Sequence, residues 1–195
     1  MKQVVTMTLA ILFISTTAFT QTKWKVDKSH TMINFSVSHM VISEVTGQFN
    51  EFDATMEATK EDFTDAKINV TIKTKSINTG TNSRDNHLRS ADFFNADVDS
   101  NITFTSAKIE KTSNDTYKIY GSLTMRGVTK DVVLDTKYKG KIKGGKGMVS
   151  AFKATTSIAR KEWGLGWNRT IESGNLLVGE NVDLTIFIEF AEAKI

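Results

Sequence analysis

Histidine and cysteine, which commonly serve as metal ligands and in acid–base or nucleophilic catalysis, are scarce or absent in this sequence. It has three His and no Cys among 195 residues, which excludes a disulfide, a thiolate metal site and a Cys nucleophile. His30, His39 and His87 show no tight His-x-His spacing, so we predict no metal site. Asp27, Ser29 and His30 include the residue types of a catalytic triad, but sequence neighbours rarely reach triad geometry and no nucleophile elbow surrounds Ser29. The sequence therefore predicts no catalytic residue and no cofactor.

Several arginines are candidates for binding a polar head group, because a guanidinium suits phosphate or carboxylate. The candidates are Arg84, Arg89 and Arg126. Ion pairs around a short helix are the competing interpretation for Arg84 and Arg89, and a structural role is favoured for Arg126 and for Arg160.

Length and composition indicate one globular domain. The chain is long enough for a substantial core, with 39% hydrophobic and 24% charged residues. The formal charge is only +3 and no dense basic face accompanies it, so we expect no nucleic-acid partner.

The first twenty residues differ in composition from the rest. Met1-Lys2 is a short positive start, Val4 to Ile14 is mainly apolar, and Ser15 to Thr20 is mostly small and polar. This layout predicts a secretory signal peptide, and the apolar run is too short to span a bilayer. We therefore expect residues 1–20 to be removed, residues 21–195 to form the domain, and the protein to be periplasmic or secreted. A retained N-terminal anchor is the alternative.

Alternation of apolar and polar residues predicts β-strands through most of the domain. A long hairpin with a tight turn is predicted around Arg126-Gly127. Apolar residues occupy odd positions from Tyr117 to Met125 before the turn and even positions after it. A second strand face runs from Ile33 to Val41. A later phase change at Asn50-Glu51 predicts a bulge or sharp bend.

The outward face of this hairpin carries a series of lysines from Lys137 to Lys143. A solvated, aggregation-resistant surface is one interpretation, and attraction to anionic lipid is the other.

One short helix interrupts the strands between Thr79 and Asp99. Asn82 or Ser83 can cap it, Asp85 suits its first turn, and Leu88 and Phe93 would pack it down.

We count eight substantial predicted strands, mostly in sequential hairpins. An all-antiparallel sheet of this size must close or stack. An eight-stranded barrel is the first prediction and a two-sheet sandwich the second. An exposed strand edge would support a homodimer.

Several segments carry motifs that together are specific. They are Trp24 to Phe35, His39 to Phe49, Arg84 to Phe94, Ile102 to Phe104, Gly121 to Lys130, Arg160 to Gly164 and Leu177 to Gly179. In this order and at this spacing the chain resembles the YceI-like family of exported bacterial proteins. The resemblance implies a lipocalin-like antiparallel barrel, a polyisoprenoid or other lipid ligand in the lumen, a periplasmic or secreted location, and no established catalysis. The resemblance does not identify individual residues that contact the ligand.

The inward faces of the predicted strands favour a lipid ligand on independent grounds. Candidate lining residues are Phe35, Val37, His39, Phe49, Phe52, Ile68, Val70, Phe104, Leu123, Met125, Phe152, Ile186 and Ile188. Each buried methylene is worth about 0.8 kcal/mol, so such a wall suits a long chain. The competing interpretation is that these side chains fill the barrel themselves. We expect His39 at the barrel mouth.

These observations lead to three hypotheses. The first is non-enzymatic transport, storage or sequestration of an isoprenoid, quinone-like or fatty-acid-like molecule, with transient membrane contact. The second is an enzyme acting on a lipid-like substrate, which predicts two or more ionisable groups facing the lumen. The third is a packed barrel that serves as an interaction module.

Overall fold

The computed structural model describes residues 21–145, 147–172 and 174–193, so the predicted signal peptide lies outside the described residues. The described strands and helix follow in chain order. They are β1 (Thr22–Val26), β2 (Met32–His39), β3 (Ser43–Phe49), β4 (Phe52–Ala58), β5 (Lys67–Lys73), β6 (Ile77–Asn78), α1 (Asn82–Arg89), β7 (Asn101–Lys111), β8 (Thr116–Met125), β9 (Val128–Gly144), β10 (Gly147–Ala159) and β11 (Val178–Glu192). Short 3₁₀ helices occupy Thr74–Ser76 and Arg160–Trp163.

The strands form a closed antiparallel barrel. The ring runs β1-β4-β5-β7-β8-β9-β10-β11, and β11 pairs back to β1 with Trp24 opposite Glu192. Closure leaves no edge within this eight-stranded ring and rules out the two-sheet sandwich. The predicted lipocalin-like architecture with one short helix is therefore confirmed.

Strands β2, β3 and β6 lie outside the closed ring and extend its wall from β11. β11 pairs with β1 near its C-terminal end and with β2 from Val182 to Phe187. The break at Asn50-Glu51 divides β3 from β4, as the phase change in the sequence predicts.

The turn between β2 and β3 differs from the prediction. Met40 and Val41 have positive φ values of 53° and 70°, and β2 ends at His39, paired with Ser43. The prediction that Val41 continues the β2 face is therefore wrong, because the β2–β3 register closes the hairpin before it.

The turn between β8 and β9 follows the prediction. Arg126 and Gly127 have φ values of 50° and 70°, and Met125 pairs with Val128 across them. Lys137 lies on the outward face of β9, 3.3 Å from Asp115. The register shift opposite Ala151 and Phe152 reverses the alternation after Gly140. Ile142 is therefore 69% exposed, whereas Lys141 is half-buried over the Phe63 ring and pairs with Glu61. The predicted outward position of Lys141 is therefore wrong. At least two members of the lysine series therefore form ion pairs.

Helix α1 begins at Asn82, and Thr81 is its N-cap residue without a side-chain cap. The predicted capping role of Asn82 or Ser83 is therefore wrong. Asp85 is buried in the first turn and accepts hydrogen bonds from the Thr79 N–H at 2.8 Å and the Thr79 hydroxyl at 2.6 Å. These bonds fix the segment that enters the helix. Among the described residues, no helix is long and apolar enough to cross a membrane.

Candidate functional site

The barrel encloses a cavity of about 170 Å³ whose wall is apolar except for Thr156 and Arg160. Most of the predicted lining residues lie in this wall. They are Phe35, Val37, Phe49, Phe52, Val70, Phe104, Leu123, Met125, Ile186 and Ile188. The lumen is therefore not packed solid in the described structure, and we call this space the central cavity.

Sequence reasoning omitted several wall residues that come from outside the strands. Leu88, Phe93, Phe94 and Leu165 line the central cavity from α1 and the irregular segments. The sequence predicts only that Leu88 and Phe93 pack α1 against the barrel. No periodic pattern marks Phe94 or Leu165, so only the tertiary structure reveals their position.

A lower cavity of about 80 Å³ continues the central one and shares Val70, Phe104, Leu134, Ile186 and Ile188 with it. The predicted lining residues Ile68 and Phe152 lie here. The Phe152 ring packs against Phe63 and Tyr138 at centroid distances of 5.5 and 5.3 Å. This aromatic cluster narrows the far end of the lumen.

A mouth cavity of about 420 Å³ lies at the other end and shares Phe35, Val37, Leu88, Phe93 and Val178 with the central cavity. Its polar wall residues are Ser38, His39, Thr81, Ser83, Arg84 and His87. Ser38, Thr81 and Ser83 are exposed, so this cavity reaches the surface. The three cavities thus lie in series, polar at the opening and apolar within.

His39 and His87 both lie in the wall of the mouth cavity, whereas His30 lies at the β1–β2 corner. The His87 ring packs edge-on against Phe93 and Trp167 at 5.0 and 4.8 Å, and its Nε2 lies 2.9 Å from Asp92 Oδ2. His87 therefore holds the aromatic wall in place.

The three predicted head-group arginines have different surroundings. Arg84 lines the mouth cavity and donates hydrogen bonds to the Thr79 hydroxyl and carbonyl at 2.8 and 3.0 Å. Arg89 donates to the carbonyls of Lys75 and Ile77 at 2.8 and 2.7 Å. Its bonds tie α1 to β6 and the 3₁₀ helix before it.

Arg126 crosses from the β8–β9 turn to two other segments. It donates to the carbonyls of Ala91, Phe93 and Gly164 at 2.9, 2.5 and 3.0 Å. Of these arginines, Arg84 alone is among the described residues that line the three cavities.

Arg160 is the one charged residue in the described wall of the central cavity, and only 3% of it is exposed. It donates to the carbonyls of Gly179 at 2.8 Å and Trp167 at 3.0 Å, and also to that of Leu165. Burial lowers the pKa of the Arg160 guanidinium from its ordinary value. Arg160 therefore joins the start of β11 to the 165–167 segment.

The triad residue types meet on the exterior at the β1–β2 corner. The Ser29 hydroxyl donates to Asp27 Oδ1 at 2.5 Å, while His30 Nδ1 lies 3.2 Å from Asp27 Oδ2 and 3.8 Å from Glu189 Oε1. The Ser29 hydroxyl also lies 3.3 Å from His30 Nδ1, the same ring nitrogen that faces Asp27, whereas in a Ser-His-Asp triad the serine and the aspartate bond to opposite nitrogens of the imidazole. Ligand atoms of Asp27, His30 and Glu189 lie within 4.8 Å of one another, within reach of a single cation.

These contacts shift two pKa values. Hydrogen bonds from Ser29 and then His30 lower the pKa of Asp27 to about 2. The hydrogen bond to Asp27, with the charges of Asp27 and Glu189, raises the pKa of His30 above its ordinary value. The arrangement therefore favours an ion pair between Asp27 and protonated His30.

Comparison with curated proteins identifies close full-length relatives. A UPF0312 protein of Staphylococcus aureus strain USA300 is 32% identical over 172 residues, which cover 87% of this chain and 98% of the relative. The UPF0312 protein of S. aureus bovine strain RF122 is 33% identical over the same coverage.

Solved structures share the fold. The Campylobacter jejuni YceI protein superposes with a TM-score of 0.68 at 34% identity, covering 81% of this chain and 90% of that one. Burkholderia cenocepacia BcnA gives a TM-score of 0.73 at 19% identity, covering 84% and 98%. A polyisoprenoid binding domain from Saccharophagus degradans, implicated in plant cell wall breakdown, gives 0.63 at 15% identity, covering 87% and 98%.

The family model described as YceI-like domain matches residues 24–190. This match spans the barrel from β1 to β11 and includes every wall of the three cavities. The chain therefore belongs to the YceI-like family.

Proposed function

We propose that this protein binds a long-chain isoprenoid or another lipid-like amphiphile inside the barrel without chemically changing it. The observation that carries the proposal is the apolar central cavity, which continues toward a polar mouth cavity. An apolar chain gains about 0.8 kcal/mol for each methylene that it buries in such a space. The polar groups at the mouth suit a head group.

Family membership supports the same class of ligand. The S. degradans relative is described as a polyisoprenoid binding domain, and it shares the barrel fold. Quinone-like and fatty-acid-like molecules have the same apolar chain and polar end, so the proposal includes them. Transport, storage and sequestration are the roles that such binding serves.

The proposal extends to location and partners. The sequence of residues 1–20 has the layout of a signal peptide, which supports export to the periplasm or the exterior. Transient membrane contact would give the barrel access to its ligand. Dimerisation through an exposed strand edge stays a prediction.

An enzymatic function has less support from the cavity walls. The enzyme hypothesis predicts ionisable groups that face the lumen, and the described central wall offers Arg160, whose donors already bind main-chain carbonyls. His39, Arg84 and His87 lie at the mouth, where they suit recognition of a head group.

Native mass spectrometry with organic extraction tests the proposal. We expect purified residues 21–195 to carry, or to take up from added amphiphiles, a discrete mass that is released as a prenyl or acyl compound. Val132→Trp should reduce the bound fraction at least about tenfold, because Val132 lines the central cavity and the larger indole ring would fill part of it.

Val133→Trp is the matched control, because Val133 is the next residue of β9 and is 37% exposed. It should bind as the native protein does. A clean ligand-free mass after incubation with isoprenoids, quinones and fatty acids would overturn the proposal, as would equal loss of binding in both variants.

A further inference from the structure

The β2–β3 turn presents three consecutive apolar side chains to solvent. Met40, Val41 and Ile42 are 41%, 64% and 88% exposed. Single exposed apolar residues are common on protein surfaces, but a run of them at the apex of a turn is not. We call residues 40–42 the apolar tip.

The backbone of the tip is strained. Met40 and Val41 have positive φ values, and a β-branched residue such as Val41 rarely adopts them. Gly, Asn or Asp would occupy these positions with less strain and with better solvation. Backbone strain of this kind is concentrated at functional sites. A tip that is both strained and apolar therefore calls for a functional explanation.

The tip rises directly from the edge of the mouth cavity. The Met40 N–H donates to the Leu177 carbonyl at 2.9 Å, and the Leu177 N–H donates to the Arg169 carbonyl at 2.8 Å. His39 and Leu177 both line the mouth cavity. Whatever surface receives the tip therefore also lies against the opening of the barrel.

The surroundings of the tip match the interfacial region of a bilayer. Trp167 lines the mouth, and the exposed Arg169 lies over its ring at 5.7 Å. Trp and cationic side chains are typical of the head-group level. Glu44 follows the tip in β3, so charges of both signs are present and insertion of the apolar tip must provide the main attraction.

We propose that the apolar tip inserts into the interfacial region of a phospholipid bilayer and thereby sets the mouth cavity against the membrane. A chain could then pass between bilayer and barrel without crossing water. Three side chains are too few for a stable protein interface, which buries about 1,000 Å² or more, whereas a fluid bilayer accepts a single small tip. This inference rests on the proposed function, because it identifies the source of the ligand.

Vesicle flotation of residues 21–195 tests the inference. The closed barrel lies within these residues, so they fold as a unit. We expect binding to phosphatidylcholine vesicles and at least about a tenfold loss of binding in the double variant Val41→Gly and Ile42→Ser. Gly relieves the positive φ at position 41, so the variant stays folded.

Ile142→Ser is the control, because Ile142 is 69% exposed and lies in β9 toward the opposite end of the barrel. It should bind vesicles as the native protein does. A site-specific probe adds depth information, since the chain has no Cys of its own. An environment-sensitive fluorophore on Ile42→Cys should shift to the blue with vesicles, whereas one on Ile142→Cys should not.

Equal vesicle binding by the native protein and the tip variant would overturn the inference, and so would binding that requires phosphatidylglycerol and disappears in 0.5 M salt. The same two measurements distinguish a failure of this inference from a failure of the proposed function. A barrel that takes up ligand while its tip ignores vesicles disproves only the docking role. A tip that inserts while the barrel never binds an amphiphile disproves only the ligand.

Discussion

At the scale of single residues, Arg160 is a buried cation held by main-chain carbonyls. Its partners lie in the 165–167 segment, which is part of the connection from β10 to β11, and at Gly179 near the start of β11. Charge-assisted hydrogen bonds are stronger than neutral ones, and burial makes an unpaired acceptor costly. Arg160 therefore organises the loop that supplies Leu165 and Trp167 to the cavity walls.

We predict that Arg160→Met lowers the free energy of unfolding by about 3 kcal/mol or more, because it leaves several carbonyls without donors. Urea unfolding followed by tryptophan fluorescence measures the change. Arg169→Met is the matched control, since Arg169 is exposed and loss of its contact with the Trp167 ring should cost no more than about 1 kcal/mol. Equal stability of both variants would contradict this role.

The Asp27–His30 pair should make stability depend on pH in two windows. The pKa of Asp27 is lowered to about 2 from 3.8, so its contribution is present above pH 3.8 and is lost as the pH falls toward 2. The pKa of His30 is raised above 6.5, so its contribution is complete below pH 6.5 and is lost as the pH rises through the folded-state value. His30 is exposed and Asp27 is only half-buried, so solvent screening keeps both effects small.

The sharper measurement is an NMR titration of the His30 ring. Asp27→Asn should move the His30 pKa down toward its ordinary value, because the main hydrogen bond and the nearest charge are removed. Asp92→Asn, beside His87, is the control and should leave the His30 titration unchanged. An unaltered His30 titration in Asp27→Asn would refute the ion pair.

At the scale of elements, two glycines allow aromatic rings to cross the inner face of the barrel wall. The Phe35 ring occupies the place where a side chain at Gly47 would lie, and the Phe104 ring does the same at Gly121. Both glycines lie in strands, where Gly is otherwise unfavourable. The missing side chains make room for two rings that line the central cavity.

We predict that Gly121→Ala destabilises the barrel by about 1–3 kcal/mol through overpacking. Its Cβ would meet the Phe104 ring and the Thr105 carbonyl, both at 2.5 Å, and the carbonyl cannot rotate away. Thermal unfolding measures the loss. Gly145→Ala, with nothing within 4 Å, should leave the midpoint unchanged, and a similar midpoint for both variants would disprove the packing argument.

At the scale of the whole molecule, the three cavities form one path from a polar opening to an aromatic end. Shared wall residues join the mouth to the central cavity and the central to the lower cavity. A ligand that enters with its apolar end first would bury more of its chain as the chain becomes longer. The Phe152 ring, in the wall of the lower cavity, limits how deep the chain can reach.

We therefore predict that affinity rises with chain length and then levels off. Each added methylene should lower Kd roughly fourfold, or about 0.8 kcal/mol, until the chain reaches Phe152. Displacement of a fluorescent amphiphile by a series of saturated alcohols measures this. Phe152→Ala should move the plateau to longer chains, and Phe187→Ala, on the outer face, should not. A Kd that is independent of length would contradict binding along the lumen.

The sequence by itself determined the strands and most of the cavity wall. Alternation fixes which face of a strand is apolar, because a shift of one residue would move every side chain to the other face. Phe104, Leu123 and Ile186 could therefore be assigned inward positions without coordinates. The Arg126-Gly127 turn and the bend at Asn50-Glu51 were equally local, since each interrupts a periodic pattern.

Only the tertiary structure decided which distant segments meet. Glu189 joins Asp27 and His30 because β11 closes the barrel against β1, and Arg126 reaches Ala91 and Gly164 across two irregular segments. The strained turn at Val41 depends on the β2–β3 register. Such contacts follow from barrel closure and carry no local pattern, so alternation and composition could not reveal them.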